Sequence, residues 1–206
     1  MRLNSQNTRY ILPLFSYLES LHPLPAAFIR HYEQNCQLIT VRKNKFIRSP
    51  IDLNNSMYFL LKGVVRGFIR LGREEITTCF TFENQFLEAV AHPDKPNESS
   101  TEILQALEEC QLIRIPYSLT DFLCERFQEA NIIERKLLSI HHRAAAQRSI
   151  LARTPTALGR YLQLQNSDFD LSRVAQKYLA SYLCMRLETL SRMRSKQVHA
   201  RVLKLA

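Results

Sequence analysis

AQKYLASYLCMRLETLSRMRSK, residues 175–196, places apolar side chains at Leu179, Leu183, Leu190 and Met193. Apolar residues at these intervals give two short helices a packing stripe each, and Ala180 is small where the two would approach. The spacing predicts a helix-turn-helix, in which the first helix braces and the second lays its N-terminal half in a DNA major groove, wide enough to admit a helix. On the second helix the outward positions include Arg186, Glu188, Thr189, Arg192, Ser195 and Lys196. Arg192 can present a two-pronged donor to guanine O6 and N7, Glu188 can accept from a cytosine amino group, and Ser195 and Lys196 suit phosphates. The bland alternative is a buried two-helix corner that touches no DNA.

Charge along the chain argues against that alternative. Residues 131–206 hold 14 Lys/Arg against Glu134, Asp168, Asp170 and Glu188, a net +10, whereas the stretch before Asn131 nets −1. A basic region following a near-neutral one suits a C-terminal part that meets a polyanion, because neutralised phosphates release counterions. Upstream, Ile133, Leu137, Ile140, Ala144, Gln147 and Leu151 recur at spacings of 4 and 3, a heptad-like seam on a helix running to about Arg153. Such a seam wants either a partner helix, here a second copy of the chain, or its own domain. Thr154-Pro155 then reads as an N-cap followed by Pro at the first helical position, which puts a hinge at 153–154.

Before this helical half lie two helix patterns, 10–20 and 25–35, and then strand-like runs at 37–42, 57–61, 64–70, 74–80, 101–107 and 111–115. Lys62-Gly63 and Gly72-Arg73 sit between adjacent runs, where a two-residue turn needs Gly for positive φ. Short strands joined by tight turns predict a sandwich or barrel, with AHPDKPNESS (91–100) as a loop between strands.

At this point a resemblance becomes specific. YLASYLCMRLETLSRMRSK (178–196) resembles the helix-turn-helix of Crp/Fnr-type regulators, whose short-tailed form reads roughly YLASYLGITPETLSRIRKK. MYFLLKGVVRGFI (57–69) is similar to a strand-turn-strand of the cyclic-nucleotide-binding jelly roll, and residues 119–153 stand where that family has its long dimer helix. The resemblance implies an α+β chain: a β-roll sensor domain with N-terminal helices (1–118), a dimerisation helix (119–153) and a small all-α DNA-binding domain (154–206). Three departures stand out. Cys184 replaces the turn glycine and meets a steric cost at positive φ. Arg186 and Leu187 replace the Thr-Pro that would cap and open the recognition helix, leaving its start weakly capped. VHARVLKLA after Gln197 is too short for a β-hairpin wing, so no wing is expected.

For nucleotide-binding members the resemblance implies a Gly-Glu pair on the ribose and an Arg followed by Ser or Thr on the cyclic phosphate. In ENQFLEAVAHPDKPNESST (83–101) Glu88 remains but its Gly does not, and no Arg precedes Thr101. Glu88, Ser100 and Thr101 are what is left of a ligand pocket, and without the phosphate anchor a cyclic nucleotide is disfavoured. No cofactor is signalled. Cys36, Cys79, Cys110, Cys124 and Cys184 are dispersed and read as small core residues. The His141-His142 pair points about 100° apart on a helix, unfit for one metal.

The expected partners are double-stranded DNA and a second copy, with RNA polymerase a further candidate. The longest apolar runs, 57–61 and 111–115, fall short of the roughly 20 residues that a membrane-spanning helix needs. MRLNSQNTRY lacks a signal-peptide core, so a cytoplasmic protein without a membrane contact is expected. No phosphate-cradling Gly loop, H-E-x-x-H or paired-carboxylate setting points to an enzyme. The competing class is a ligand-binding or protein-interaction module that no longer reads DNA sequence.

Overall fold

Met57–Leu61 is apolar without alternation because its strand is buried on both faces. In the computed structural model, which describes residues 9–49, 56–87, 102–166 and 170–202 with side chains through Ser195, strand β3 (Ser56–Lys62) turns Tyr58 and Leu60 into one core and Phe59 into another. Strand β8 (Cys110–Pro116), antiparallel to β3 with Phe59 opposite Ile113, splits in the same way: Leu112 faces the first core, Ile113 and Ile115 the second. Side chains on successive strand residues leave opposite faces, so a strand sandwiched between two cores must be apolar throughout.

Among the described residues two four-stranded sheets form the roll. One runs β1 (Gln37–Val41), β8, β3, β6 (Gln85–Phe86); the other runs β2 (Phe46–Arg48), β7 (Ile103–Ala106), β4 (Val65–Leu71), β5 (Glu74–Thr81). Gly63 and Gly72 take φ of 111° and 63° at the two expected turns. At Gly63 a Cβ would stand 2.6 Å from Cys110 Sγ, so the turn needs the absent side chain as well as the dihedral freedom.

The chain divides into two compact units, residues 1–67 with 80–142 and residues 68–79 with 143–206. In the first, Ile47, Leu60, Val65, Leu104 and Leu112 are among the residues filling the roll. Helices α1 (Leu12–Leu21) and α2 (Ala26–Asn35) close the outer face of β3 and β8 with Leu14, Leu18 and Phe28. The helical stretch expected to be continuous from 119 is interrupted. Helix α3 (Tyr117–Arg126) ends at Phe127, whose backbone is extended and whose ring meets Phe28 edge-on, and α4 (Gln128–Arg153) starts anew.

In the second unit, α4 ends and α5 (Ala157–Gln165) follows. The cap of α5 is Thr156, whose hydroxyl accepts from Gly159 N at 3.0 Å, rather than Thr154. Thr154 is still tied to α4, its N–H donating to Leu151 O and its hydroxyl to Ile150 O. Helices α6 (Gln176–Tyr182) and α7 (Leu187–Val202) complete the unit around buried Tyr161, Leu164, Leu179, Leu183 and Leu190. Ser181 Oγ accepts from Thr77 N at 2.9 Å and donates to Glu75 O at 3.2 Å, so α6 satisfies part of the outer edge of β5.

Arg48 breaks the apolar pattern. It lies opposite Leu104 beside a register shift in β2, is 8% exposed, and its Nη1 has no hydrogen-bond partner among the described residues. A buried unsatisfied donor costs about 1–3 kcal/mol, and an apolar chain of similar length removes that cost. Arg48→Met is therefore expected to raise the thermal unfolding midpoint by a few degrees in scanning calorimetry; a lowered midpoint would mean that the guanidinium is held by an interaction worth more than its desolvation.

Candidate nucleic-acid interface

Helix α6 ends in a pattern that forces the chain through the left-handed region. Met185 N–H donates to Ala180 O and Cys184 N–H to Ser181 O, both at 3.0 Å, the paired bonds of a Schellman closure. The residue directly after the helix cap must take positive φ, and Cys184 does so at 51°. The position that usually belongs to glycine is thus occupied by a side chain with a steric penalty. Ala180, buried, leaves room for the chain to turn back. Soon after Met185, α7 begins, with Arg186 O accepting from Thr189 N and Leu190 N.

Leu190, fully buried, fixes which side of α7 faces the unit. Opposite it, Glu188 and Arg192 are exposed one turn apart, and Ser195 follows on the same face. Arg186 is exposed before the helix, and Thr189 is half-buried at the edge of that face. Ser195 Oγ is turned back onto Ser191 O at 3.1 Å. Lys196 lies on α7 beyond the described side chains. Sequence reasoning missed Ser191, exposed between Glu188 and Arg192, because an apolar stripe defines the buried side of a helix and leaves the middle of the other side unmarked. Glu188 in the first turn also offsets the positive end of the helix dipole.

A second omission is Arg160 on α5. Its Nε donates to Leu183 O at 2.7 Å, Nη1 to Thr154 O at 2.7 Å and Nη2 to Cys184 O at 3.3 Å. An arginine on a helix normally reads as a solvated charge, and the one signal in the sequence is the neighbouring Gly159 inside a short helix. A Cβ at Gly159 would meet Thr156 Oγ1 at 2.9 Å and Thr154 Cγ2 at 3.1 Å, so the glycine lets α5 lie against the chain leaving α4.

The residues of the expected seam on α4 do not share one environment. Ile133, 4% exposed, and Leu137 pack into the core of the first unit, and Leu151 is buried in the second. Ile140 and Gln147 are exposed and Ala144 is half-exposed, with Leu138 (68%) and Ile150 (60%) the most exposed large apolar residues of the helix. Glu88, Ser100 and Thr101, the remnant ligand pocket, lie outside the described residues. Among the described residues no group of His, Cys, Asp or Glu has the arrangement of a metal site, and no helix is long and apolar enough to cross a membrane.

The cysteines differ in environment. Burial pushes the thiol of Cys36 up to about 12, and burial first, with nearby Glu108 or Glu134 second, pushes Cys110 and Cys124 up to about 11. Cys184 is exposed in the turn. Because the thiolate is the nucleophile, iodoacetamide at mildly alkaline pH is expected to label Cys184 well before Cys36, Cys110 or Cys124, read by peptide mass spectrometry. Labelling of Cys36 at the same rate would contradict this assignment.

The fold has counterparts among known proteins. No protein-family model matches the chain. An HTH-type transcriptional regulator ArcR of Staphylococcus epidermidis is 27% identical over 134 residues, 61% of this chain and 54% of the relative; the chain thus matches about half the length of that protein. FixK2 from Bradyrhizobium japonicum superposes with a TM-score of 0.67 at 18% identity, covering 81% of this chain and 85% of the other. The c-di-GMP-responsive regulator CLP of Xanthomonas campestris gives 0.65 at 15% identity over 85% and 93% of the two chains. A protein of the Crp/Fnr family from Eubacterium rectale gives 0.61 at 14% over 89% and 88%.

Proposed function

We propose that this chain, which has the fold of the Crp/Fnr transcription regulators, is itself a sequence-specific DNA-binding regulator that works in the cytoplasm as a homodimer by groove reading and not by catalysis. The observation that carries the reading is the outward face of α7. Glu188, Ser191 and Arg192 are exposed opposite buried Leu190, on a C-terminal region with a net charge of +10 from residue 131 onward. A protein-interaction module would have no need of that charge, whereas phosphate neutralisation requires it. Glu188 and Arg192 have the chemistry of base readers, and Arg186, Thr189, Ser195 and Lys196 flank them. The ArcR relative, by its name an HTH-type regulator, supports the same class.

Dimerisation is proposed through the exposed portion of α4 around Ile140, Ala144 and Gln147, since Ile133, Leu137 and Leu151 are already occupied within the chain. Two recognition helices would then read half-sites about one helical turn apart. A cyclic nucleotide is not proposed as effector, because the stretch 88–101 contains no arginine to hold its phosphate. RNA polymerase is a candidate partner of the DNA-bound form.

The test begins with the duplex that the purified protein selects from a random pool. Arg192→Ala is expected to cost about 1–3 kcal/mol on that duplex and to relax the preference at one position, while Lys196→Ala weakens selected and scrambled duplexes alike; added cAMP should leave both affinities unmoved. Equal losses on both duplexes for Arg192→Ala would remove it from base reading. For the dimer, Ile140→Glu sets a charge into the proposed contact and should give monomers by light scattering at micromolar concentration; an unchanged dimer mass would place the contact elsewhere.

A further inference from the structure

We infer that Arg160 is the positioning residue of the recognition helix: its guanidinium ties the end of α4 to the turn from which α7 departs, and so sets the angle at which α7 meets DNA. The inference rests on the DNA-reading proposal and deepens it. Three nitrogens of one side chain reach three carbonyls from two places in the chain, Thr154 O just beyond α4, and Leu183 O and Cys184 O in the turn. Leu183 is the C-cap of α6 and Thr154 follows the last residue of α4. Carbonyls at helix C-termini have no partners within the helix and carry the negative end of its dipole, so a cation placed between two such ends satisfies both. Lysine would substitute only in part, because a planar fork reaches three directed acceptors where a point charge reaches fewer.

What the clamp holds is a turn under strain. The Schellman bonds engage Ala180 O and Ser181 O, which leaves Leu183 O and Cys184 O, further along, for Arg160. Cys184, at φ 51°, is the residue whose conformation most needs external support. Rotation about Cys184 would swing α7, which starts at Leu187. Gly159 belongs to the same device, since a Cβ there would crowd the Thr156 hydroxyl and the Thr154 methyl group. Arg160 is half-buried with its donors engaged by backbone, so it is a poor phosphate ligand despite its charge, and its effect should fall on the discrimination between sequences.

The experiment compares Arg160→Gln, Arg160→Lys and Cys184→Gly, singly and combined, in the full chain. Anisotropy titrations use the selected duplex and a scrambled one over a range of salt, and amide hydrogen exchange is followed at Cys184 and Met185 without DNA. Arg160→Gln should lower the preference for the selected duplex roughly ten- to a hundredfold, the effect of one or more misread base pairs. Its salt slope should match wild type, and the two turn amides should exchange faster. Arg160→Lys should show a smaller version of each effect, and it replaces Arg160→Gln in every assay if circular dichroism shows the latter unfolded. Glycine takes positive φ without steric cost, so Cys184→Gly added to Arg160→Gln should recover most of the missing preference and protection. A salt slope shallower than wild type by about 0.9, the signature of one fewer neutralised phosphate, would make Arg160 a phosphate ligand and overturn the inference. Turn amides exchanging as in wild type, or no recovery with Cys184→Gly, would overturn it too. If wild type selects no duplex, the DNA-reading proposal fails, and the exchange measurements still decide whether Arg160 holds the turn.

Discussion

The turn between α6 and α7 has to reverse the chain between Tyr182 and Leu187 while leaving no buried carbonyl unsatisfied. Helix α6 has only seven residues, too few to be stable by its own hydrogen bonds, so its geometry is imposed by packing and by its ends. Leu179, Leu183 and Leu190 supply the packing and the Schellman bonds supply one end. Everything on the outward face of α7 follows from that closure: with Leu190 fixed inward, Glu188 and Arg192 have no orientation left except outward. The closure itself runs through a cysteine at positive φ, and its remaining acceptors are met from α5 by Arg160. A conformational penalty in one segment is offset by hydrogen bonds from another.

This division explains which parts were legible in the sequence. Strands β1, β3, β4, β5, β7 and β8 lie within two residues of the runs expected from the sequence, because each spans at least four residues, with Gly turns joining β3 to β4 and β4 to β5. Strands β2 and β6, three and two residues long, match no expected run. No alternation can be seen in so short a window, and both exist because a longer strand offers them an edge, β7 for Phe46 and Arg48, β3 for Gln85 and Phe86. Arg48 within β2 even argues against a buried strand. The positive φ of Cys184 is legible through the resemblance, whose pattern has a glycine at that position of the turn. The role of Arg160 is not, because its partners are all backbone atoms, and Leu183 and Cys184 lie far along the chain beyond another helix.

Helix α4 shows a different limit. Periodicity identifies the stripe from Ile133 to Leu151 but carries no information about what covers it. The structure covers the two ends of that stripe with this chain's own side chains and leaves the middle exposed. The break at Phe127 was equally hidden, since neither Pro nor Gly marks it. An aromatic ring drawn to Phe28 shortens the helix expected from 119 onward to one beginning at Gln128.

The division of charge completes this picture. The stretch before Asn131 is near neutral and the C-terminal region is basic: apolar burial holds the first together, whereas the second concentrates positive charge in a small unit. In the C-terminal region, clustered like charges repel and weaken the fold that carries them. Placing Arg160 against helix C-terminal carbonyls turns one of those charges into a structural contact, while Arg186 and Arg192 remain exposed to solvent. The same residue type thus stands in two environments within one small unit, and the distinction between cohesion and free surface charge is set by whether its donors find backbone oxygen or solvent.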